Sequence, residues 1–364
     1  MLIRLGGKEN GCLSHYIGRL VAGRDLPESM AERAMDLIMS GRATPSQVAG
    51  YLVALRMKGE TVDEITGSAR VMRRAATRVN VQDRPLVDTC GTGGDGRATF
   101  NISTAAAFVA AAAGVSVAKH GNRSVSSACG SADVLESLGV RLTLTPAQVA
   151  HCVERIGIGF LFAPRFHTAM KHALGPRKEL AIRTVFNILG PLTNPAGADV
   201  QLVGVYDPEL TEPIARVLGR LGAREAWVVH GDGLDELTLS GASRVSRFRP
   251  EDQRVETFEV TPREVGLSPQ PVECLVGGDA CENARLLRAV LEGDPGPRRD
   301  AVLLNAAAAL TAAGKARHLE DGVRQSARAV DEGKALRLLE ELVDVTQALG
   351  GEDEAHDGQQ RTLS

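Results

Sequence analysis

The sequence predicts an α/β protein with a small N-terminal helical domain and a larger α/β domain, whose central sheet is mainly parallel and flanked by helices. Three observations lead there. The first eighty or so residues carry only helical periodicity and helix-capping patterns. After Arg84, short apolar strands alternate with helical stretches, the pattern of parallel strands joined by crossover helices. Aromatic residues are only 3% of the chain while hydrophobic residues are 43%, so Ala, Val, Leu and Gly fill the core, as suits helices laid closely on a sheet. The length of 364 residues exceeds one average domain and gives room for a sizeable core.

The elements follow in order. Leu26, Met30, Ala34, Leu37 and Ile38 keep helical spacing behind Pro27, and Gly41 stops that helix. Thr44-Pro45 starts a second helix carrying Val48, Tyr51, Leu52 and Leu55, which Gly59 ends. Thr61 with Glu64 forms a capping box for a third, through Arg74. Residues 85–88 then make a short strand that runs into the glycine loop Gly91–Gly96. A helix follows from about Ser103 to Ala113, and Val115–Ala118 is the next strand. Further strands are expected at Ile158–Phe162, Val200–Tyr206 and Glu225–Val229. Val245–Val260 alternates Arg and Glu with apolar residues and reads as an edge pair of strands. Glu282–Glu292, Arg299–Ala313 and Leu319–Ala348 read as helices, and the tail from Gly350 as a short acidic disordered segment.

Charge and cysteine usage exclude some classes. Lys and Arg number 42 against 45 Asp and Glu, a net charge of −3, and the segment from Gly350 alone carries −3. The body is thus close to neutral, without the basic excess of a sequence-independent nucleic-acid binder. The six cysteines (Cys12, Cys90, Cys129, Cys152, Cys274, Cys281) form no CxxC pair, which argues against a disulfide framework or a zinc site and fits a reducing cytoplasm. No signal-peptide pattern and no membrane-spanning apolar run is evident, so the expected location is cytoplasmic.

Five stretches carry chemistry. Gly91-Thr92-Gly93-Gly94-Asp95-Gly96, between a strand and a helix, can bring backbone N–H groups against an anion at a helix N-terminus. Its GxGxxG spacing also matches a dinucleotide site, but the second strand ends in Lys119-His120 where such a site needs an acidic residue, and no GK[ST] follows as in a Walker loop. Asn101-Ile102-Ser103-Thr104 are helix-cap residues that can also form a phosphate cup. In the run from Lys119 to Ser127, Lys119 and Arg123 offer charge to phosphate oxygens, Ser126 and Ser127 offer hydroxyls, and His120 is placed to line a pocket. Asp235-Glu236, after Gly231-Asp232-Gly233, is a carboxylate pair of the hard-oxygen type that bridges magnesium to phosphates. Arg177, at a basic helix start, is a planar fork for a carboxylate, and the Gly190–Pro195 stretch is a rigid turn.

Four segments together resemble the signature of the anthranilate phosphoribosyltransferases, in that family's order and spacing: Asp88–Thr104 (DTCGTGGDGRATFNIST), Lys119–Ser127 (KHGNRSVSS), Arg177–Pro195 (RKELAIRTVFNILGPLTNP) and Gly233–Glu236 (GLDE). The resemblance runs from about Leu13 to Val345. It implies a helical domain over 1–82 with a further helical contribution from about 164–190, an α/β domain over 83–349, and a homodimer formed through the helical domain. The implied reaction transfers the phosphoribosyl group of PRPP (5-phosphoribosyl 1-diphosphate) to anthranilate in tryptophan biosynthesis, with Mg2+, two ions, as cofactor. On the same basis Gly91, Gly94, Asp95, Thr99, Asn101, Ile102, Ser103, Thr104, Lys119, His120, Gly121 and Ser131 contact PRPP. The loop Asn122, Arg123, Ser124, Val125, Ser126 and Ser127 closes over it. Ser103, Asp235 and Glu236 hold the metal. Gly91, Asn122 and Arg177 meet anthranilate with His120 close by, and Arg177, Lys119 and His120 act by positioning. Ala128, Thr168, Pro176 and Ala181 depart from the family pattern. A pyrimidine nucleoside phosphorylase, which shares the architecture, and a non-catalytic nucleic-acid-binding relative are the alternatives.

Overall fold

A computed structural model describes residues 12–82, 85–124, 128–251 and 253–361, with the side chains described as far as Gly350. Four helices come first: α1 (Leu13–Val21), α2 (Glu28–Met39), α3 (Pro45–Lys58) and α4 (Val62–Ala75). Then strands and helices alternate: β1 (Leu86–Gly91), α5 (Ile102–Ala112), β2 (Ser116–Gly121), α6 (Ser131–Ser137), α7 (Pro146–Ile156) and β3 (Ile158–Phe162). The single turn α8 (Ala163–Phe166) leads to α9 (Lys171–Leu180) and α10 (Val185–Leu189). β4 (Val200–Gly204), α11 (Thr211–Arg220) and β5 (Glu225–Gly231) precede the strands β6 (Ser243–Arg249) and β7 (Arg254–Val260). The chain finishes on α12 (Ala280–Glu292), α13 (Pro297–Ala312), α14 (Leu319–Asp331) and α15 (Lys334–Arg361).

The chain divides into two compact units. One holds the residues up to Ala76 together with His167–Thr193; the other holds Thr77–Phe166 and everything from Asn194 on. The helical unit is built by local chemistry. Thr44 with Gln47 and Thr61 with Glu64 form reciprocal capping boxes at the starts of α3 and α4. Glu64 is fully buried and satisfied from three sides, by the Leu26 amide (2.9 Å), the Thr61 amide (2.8 Å) and Lys58 Nζ (2.9 Å), which ties together the ends of three helices.

The α/β unit has one seven-stranded sheet in the order β3-β2-β1-β4-β5-β6-β7. β3 through β5 run parallel, and β6 and β7 are antiparallel additions at one edge. Both alanine-rich helices, α5 and α13, are buried along most of their length and pack on the sheet and on each other, since small side chains let helix backbones approach closely. β7 alternates Arg254, Glu256 and Glu259 with apolar residues and remains largely exposed, which suits an outermost strand.

One sequence expectation changes here. The single helix over Leu319–Ala348 is two, because the chain breaks at Gly333, whose φ of 69° lies in the left-handed region. α15 carries on past Gly350, and the side chains of the acidic tail lie outside the described residues. Gly350 does not act as a stop. It is a site of close packing, because a Cβ there would stand 2.2 Å from the Arg141 side chain.

Candidate active site

From β1 the parallel strands are laid down in opposite directions, β2 and β3 to one side and β4 and β5 to the other. The crevice beyond the carboxyl ends of β1 and β4 is therefore the switch point at which open α/β sheets bind ligands. Gly91 and Gly204 are paired in register at those two ends. Asp235 lies directly against both: a Cβ on Gly91 would stand 2.3 Å from Asp235 Oδ2, and one on Gly204 only 1.5 Å from the Asp235 carbonyl oxygen. The two glycines are thus the seat of the acidic pair. The sequence marks Gly91 through its loop but gives no local sign of Gly204.

Backbone amides hold both carboxylates. Gly93 N–H donates to Asp235 Oδ2 at 2.7 Å, and Ser103 N–H donates to Glu236 Oε1 at 3.1 Å, so a free amide at the start of α5 is already turned on a carboxylate. The segment is clamped on either side. Asn305 of α13, fully buried, accepts from Leu237 N–H and donates to Leu237 O, both at 3.0 Å. His230 bridges the Val205 carbonyl (2.8 Å from Nδ1) and the Gly233 amide (3.2 Å from Nε2). Because a backbone N–H can only donate, Nε2 is the acceptor and the ring proton sits on Nδ1. Arg97, in the glycine loop, donates to the Asp232 carbonyl at 3.3 Å and joins that loop to the same turn.

The electrostatics favour a cation. Burial, then the nearby Asp95 charge, raises the Asp235 carboxyl well above the ordinary carboxylate range, and burial, then Asp235, does the same to Glu236. Lys119 partly offsets this. It is buried on β2, donates from Nζ to the Thr89 carbonyl, and lies among Asp88, Asp235 and Glu236. Burial pulls the Lys119 ammonium below its usual range while these carboxylates hold it up. Asp88 is fully buried beneath it, fixed by His120 N–H (3.1 Å) and Asn194 Nδ2 (2.8 Å). Asn194 also donates to Ala118 O at 2.8 Å, so the Gly190–Pro195 stretch, read from sequence as a rigid turn, also serves to lock β1 to β2. Among the described residues no three His, Cys, Asp or Glu side chains converge as a metal cage. Two carboxylates and the Ser103 hydroxyl, which reaches Glu236, suit Mg2+, an ion that takes few protein ligands and fills its shell with phosphate oxygens and water.

The remaining expected residues fall as follows. Gly94, Asp95 and Thr99 line the glycine loop and are half-buried, as are Asn101 and Ser103, whereas the side chains of Ile102 and Thr104 are buried. Gly121 is held against Ser131, whose Oγ would stand 2.2 Å from a Cβ there. Asn122 O receives Ala132 N–H at 3.2 Å and Ser131 Oγ at 3.4 Å. Arg123 points its guanidinium at Asp133 (3.0 Å) and Glu136 (2.8 Å) and lies over the Phe162 ring, and Ser124 N–H donates to Asp133 Oδ2 at 3.0 Å. Val125, Ser126 and Ser127 lie outside the described residues. In the helical unit, Arg177 is half-buried with its guanidinium 5.1 Å from the Phe186 ring centre, and no carboxylate pairs with it among the described residues.

Comparison with known proteins gives the family. Residues 14–76 match the helical bundle domain of the glycosyl transferase family, and residues 83–336 match its a/b domain. The anthranilate phosphoribosyltransferase of Symbiobacterium thermophilum is 58% identical over 336 residues, which is 92% of this chain and 98% of that protein. The crystal structure of the Thermus thermophilus enzyme of the same name superposes with a TM-score of 0.86 at 48% identity, covering 91% of this chain and 99% of that one. The Saccharomyces cerevisiae enzyme, solved in complex with PRPP and Mg, gives 0.83 at 29% identity, covering 92% and 98%. The chain belongs to the anthranilate phosphoribosyltransferase family.

Proposed function

We propose that the chain transfers the 5-phosphoribosyl group of PRPP to the amine of anthranilate, giving N-(5-phosphoribosyl)anthranilate and pyrophosphate, as a Mg2+-dependent enzyme of tryptophan biosynthesis. The observation that carries this reading is the seating of Asp235-Glu236 across Gly91 and Gly204 at the sheet's switch point, where loop amides orient both carboxylates. A diphosphate ester with its metal suits that place, and a relative solved with PRPP and Mg supports it.

Asp235, Glu236 and Ser103 would hold the metal, which when bound neutralises the pyrophosphate leaving group. As the bond from the ribose anomeric carbon to pyrophosphate breaks, positive charge develops on the ribose. The anthranilate nitrogen attacks that carbon with its own lone pair from the opposite face and then releases a proton, so no strong base is required. The protein's contribution is positioning and charge balance. The glycine loop and Asn101 meet the phosphates, and Lys119 adds positive charge beneath them. The Arg177 guanidinium, stacked on Phe186 and without a carboxylate of its own among the described residues, receives the anthranilate carboxylate. A yeast relative solved with 4-fluoroanthranilate supports an aromatic amino acid as acceptor. Two metal ions per site, a homodimer formed through the helical unit and a cytoplasmic location complete the reading. No helix among the described residues is long and apolar enough to cross a membrane.

The test is the loss of anthranilate fluorescence when purified protein, PRPP and Mg2+ are mixed. Decay that requires both PRPP and Mg2+ is expected. A flat trace from folded, PRPP-binding protein, with cleavage of thymidine or uridine by phosphate instead, would replace this reading with a nucleoside phosphorylase.

A further inference from the structure

Residues 98–100 pair antiparallel with residues 275–277. Phe100 N–H donates to Leu275 O at 3.0 Å, Gly277 N–H donates to Ala98 O at 2.9 Å, and Thr99 bridges Val276. This pairing lays the start of α12 beside the start of α5, and it brings Asn283 against Asn101 from 182 positions away in sequence. Asn283 is 2% exposed.

The direction of the amide–amide bond in this cluster follows from one atom that cannot reverse. Gly278 N–H can only donate, and it meets Asn283 Oδ1 at 2.8 Å. The Asn283 amide nitrogen therefore faces Asn101, and the atom it meets at 3.0 Å must be an acceptor, Asn101 Oδ1. The Cys129 thiol, pushed up to about 11 by burial and so protonated, has two acceptors at 3.4 Å, this Oδ1 and the Gly130 carbonyl. With its oxygen held by Asn283, Asn101 turns its nitrogen the other way. One amide hydrogen leans on Cys129 O at a long 3.4 Å, and the second has no partner among the described residues.

We propose that Asn283 is a positioning residue for the transfer reaction: it fixes the polarity of Asn101, so that the half-buried Asn101 offers the substrate a donor and never an acceptor. The matching group is an atom that only accepts, a phosphate oxygen of PRPP. This rests on the reading that Asn101 meets PRPP.

Asn283→Asp keeps the size and reverses the instruction. The carboxylate still accepts from Gly278 but cannot donate to Asn101, whose amide must turn its oxygen toward the phosphate. The expected result is a PRPP KM raised about 10- to 100-fold. The anthranilate KM should stay near that of the parent, whereas a merely structural role would disturb both KM values. Asn283→Leu removes the donor without adding charge, and should raise the PRPP KM by a smaller factor. It also serves as the test if the Asp variant does not fold. Both changes are repeated in an Asn101→Ala background, where they should have no further effect on PRPP KM. If Asn101→Ala alone leaves PRPP KM unchanged, the reading of Asn101 as a PRPP contact fails. If Asn101→Ala raises it but the Asn283 variants do not, or if their effects simply multiply, the proposal for Asn283 is overturned while that reading stands.

Discussion

Replacing Gly204 by Ala tests whether the acidic pair is seated as described. The new Cβ would stand 1.5 Å from the Asp235 carbonyl oxygen and 2.4 Å from its carbonyl carbon, whereas ordinary contact begins at 3.4 Å. The obstruction is backbone, so no side-chain rotation relieves it. The Asp235-Glu236 segment must retreat by about 2 Å, and a misplacement of about 1 Å is already enough to lose roughly 100-fold in rate. We therefore expect kcat/KM to fall by at least about 100-fold, about 2.7 kcal/mol of transition-state stabilisation. The Mg2+ concentration for half-maximal rate should rise with it. Gly91→Ala is the internal comparison. Its Cβ would meet Asp235 Oδ2 at 2.3 Å, but a carboxylate can rotate away, so the loss should be smaller, about tenfold. The assay is anthranilate fluorescence across a Mg2+ titration at saturating PRPP, with a circular dichroism melt to show that each variant is folded. A Gly204→Ala enzyme with the parent's rate and Mg2+ dependence would refute the reasoning, as would Gly91→Ala proving the more damaging of the two.

Further outcomes are expected for the α9 cap, the acidic pair and Arg177. Ala181 caps α9 at φ 50° and ψ 28°, a left-handed conformation that costs an L residue about 1–2 kcal/mol, part of which returns as unfolded-chain entropy when glycine is introduced. Ala181→Gly should thus stabilise by about 0.5–1 kcal/mol, read as a rise in Tm, and a lower Tm would contradict it. Because Asp235 and Glu236 have raised folded-state values, the metal-free protein should lose stability as pH rises above the ordinary carboxylate range of about 4 and toward those raised values. Mg2+ needs the ionised pair, so its thermal stabilisation should be larger at about pH 8.5 than at about pH 6, and equal shifts at both would sink the assignment. Asp235→Asn with Glu236→Gln should abolish both this effect and activity while the fold is retained. Arg177→Ala should raise the anthranilate KM by at least about 30-fold and leave the PRPP KM alone, as loss of a charged contact predicts; an unchanged anthranilate KM would remove Arg177 from the site.

What could be read from sequence was set by chemistry close along the chain. Thr44-Pro45 and Thr61 with Glu64 announce their helices because a helix start needs only a few consecutive residues. The glycine loop and Asp235-Glu236 are visible because their residue types cluster. What sequence did not reveal depends on distant neighbours. Nothing around Gly204 says that Asp235 will cross it, and Asn194, Asn283 and Asn305 look like ordinary polar residues until folding brings Asp88, Asn101 and Leu237 to them. The ion pairs of Arg123 are likewise hidden, because its partners Asp133 and Glu136 belong to the next helix. Gly333 and Gly350 show the same limit in another form, since one glycine breaks a helix and the other only makes room for Arg141.

The two edges of the sheet have different consequences for how the chain behaves before it is folded. β7 ends the sheet in charge and is poorly suited to recruiting another strand. β3, at the opposite edge, is Ile-Gly-Phe-Leu-Phe, an uncharged segment whose side chains are largely buried in the native state. It pairs with β2 only after a helical crossover, so a newly made or partly denatured chain exposes it for longer than any local hairpin. Glu154 and Arg155 stand just before it, and Pro164 and Arg165 just after, the kind of charged and proline flanks that keep such a stretch from associating with its copies. Neutralising those flanks should leave the active site intact while lowering the yield of soluble protein on refolding from denaturant.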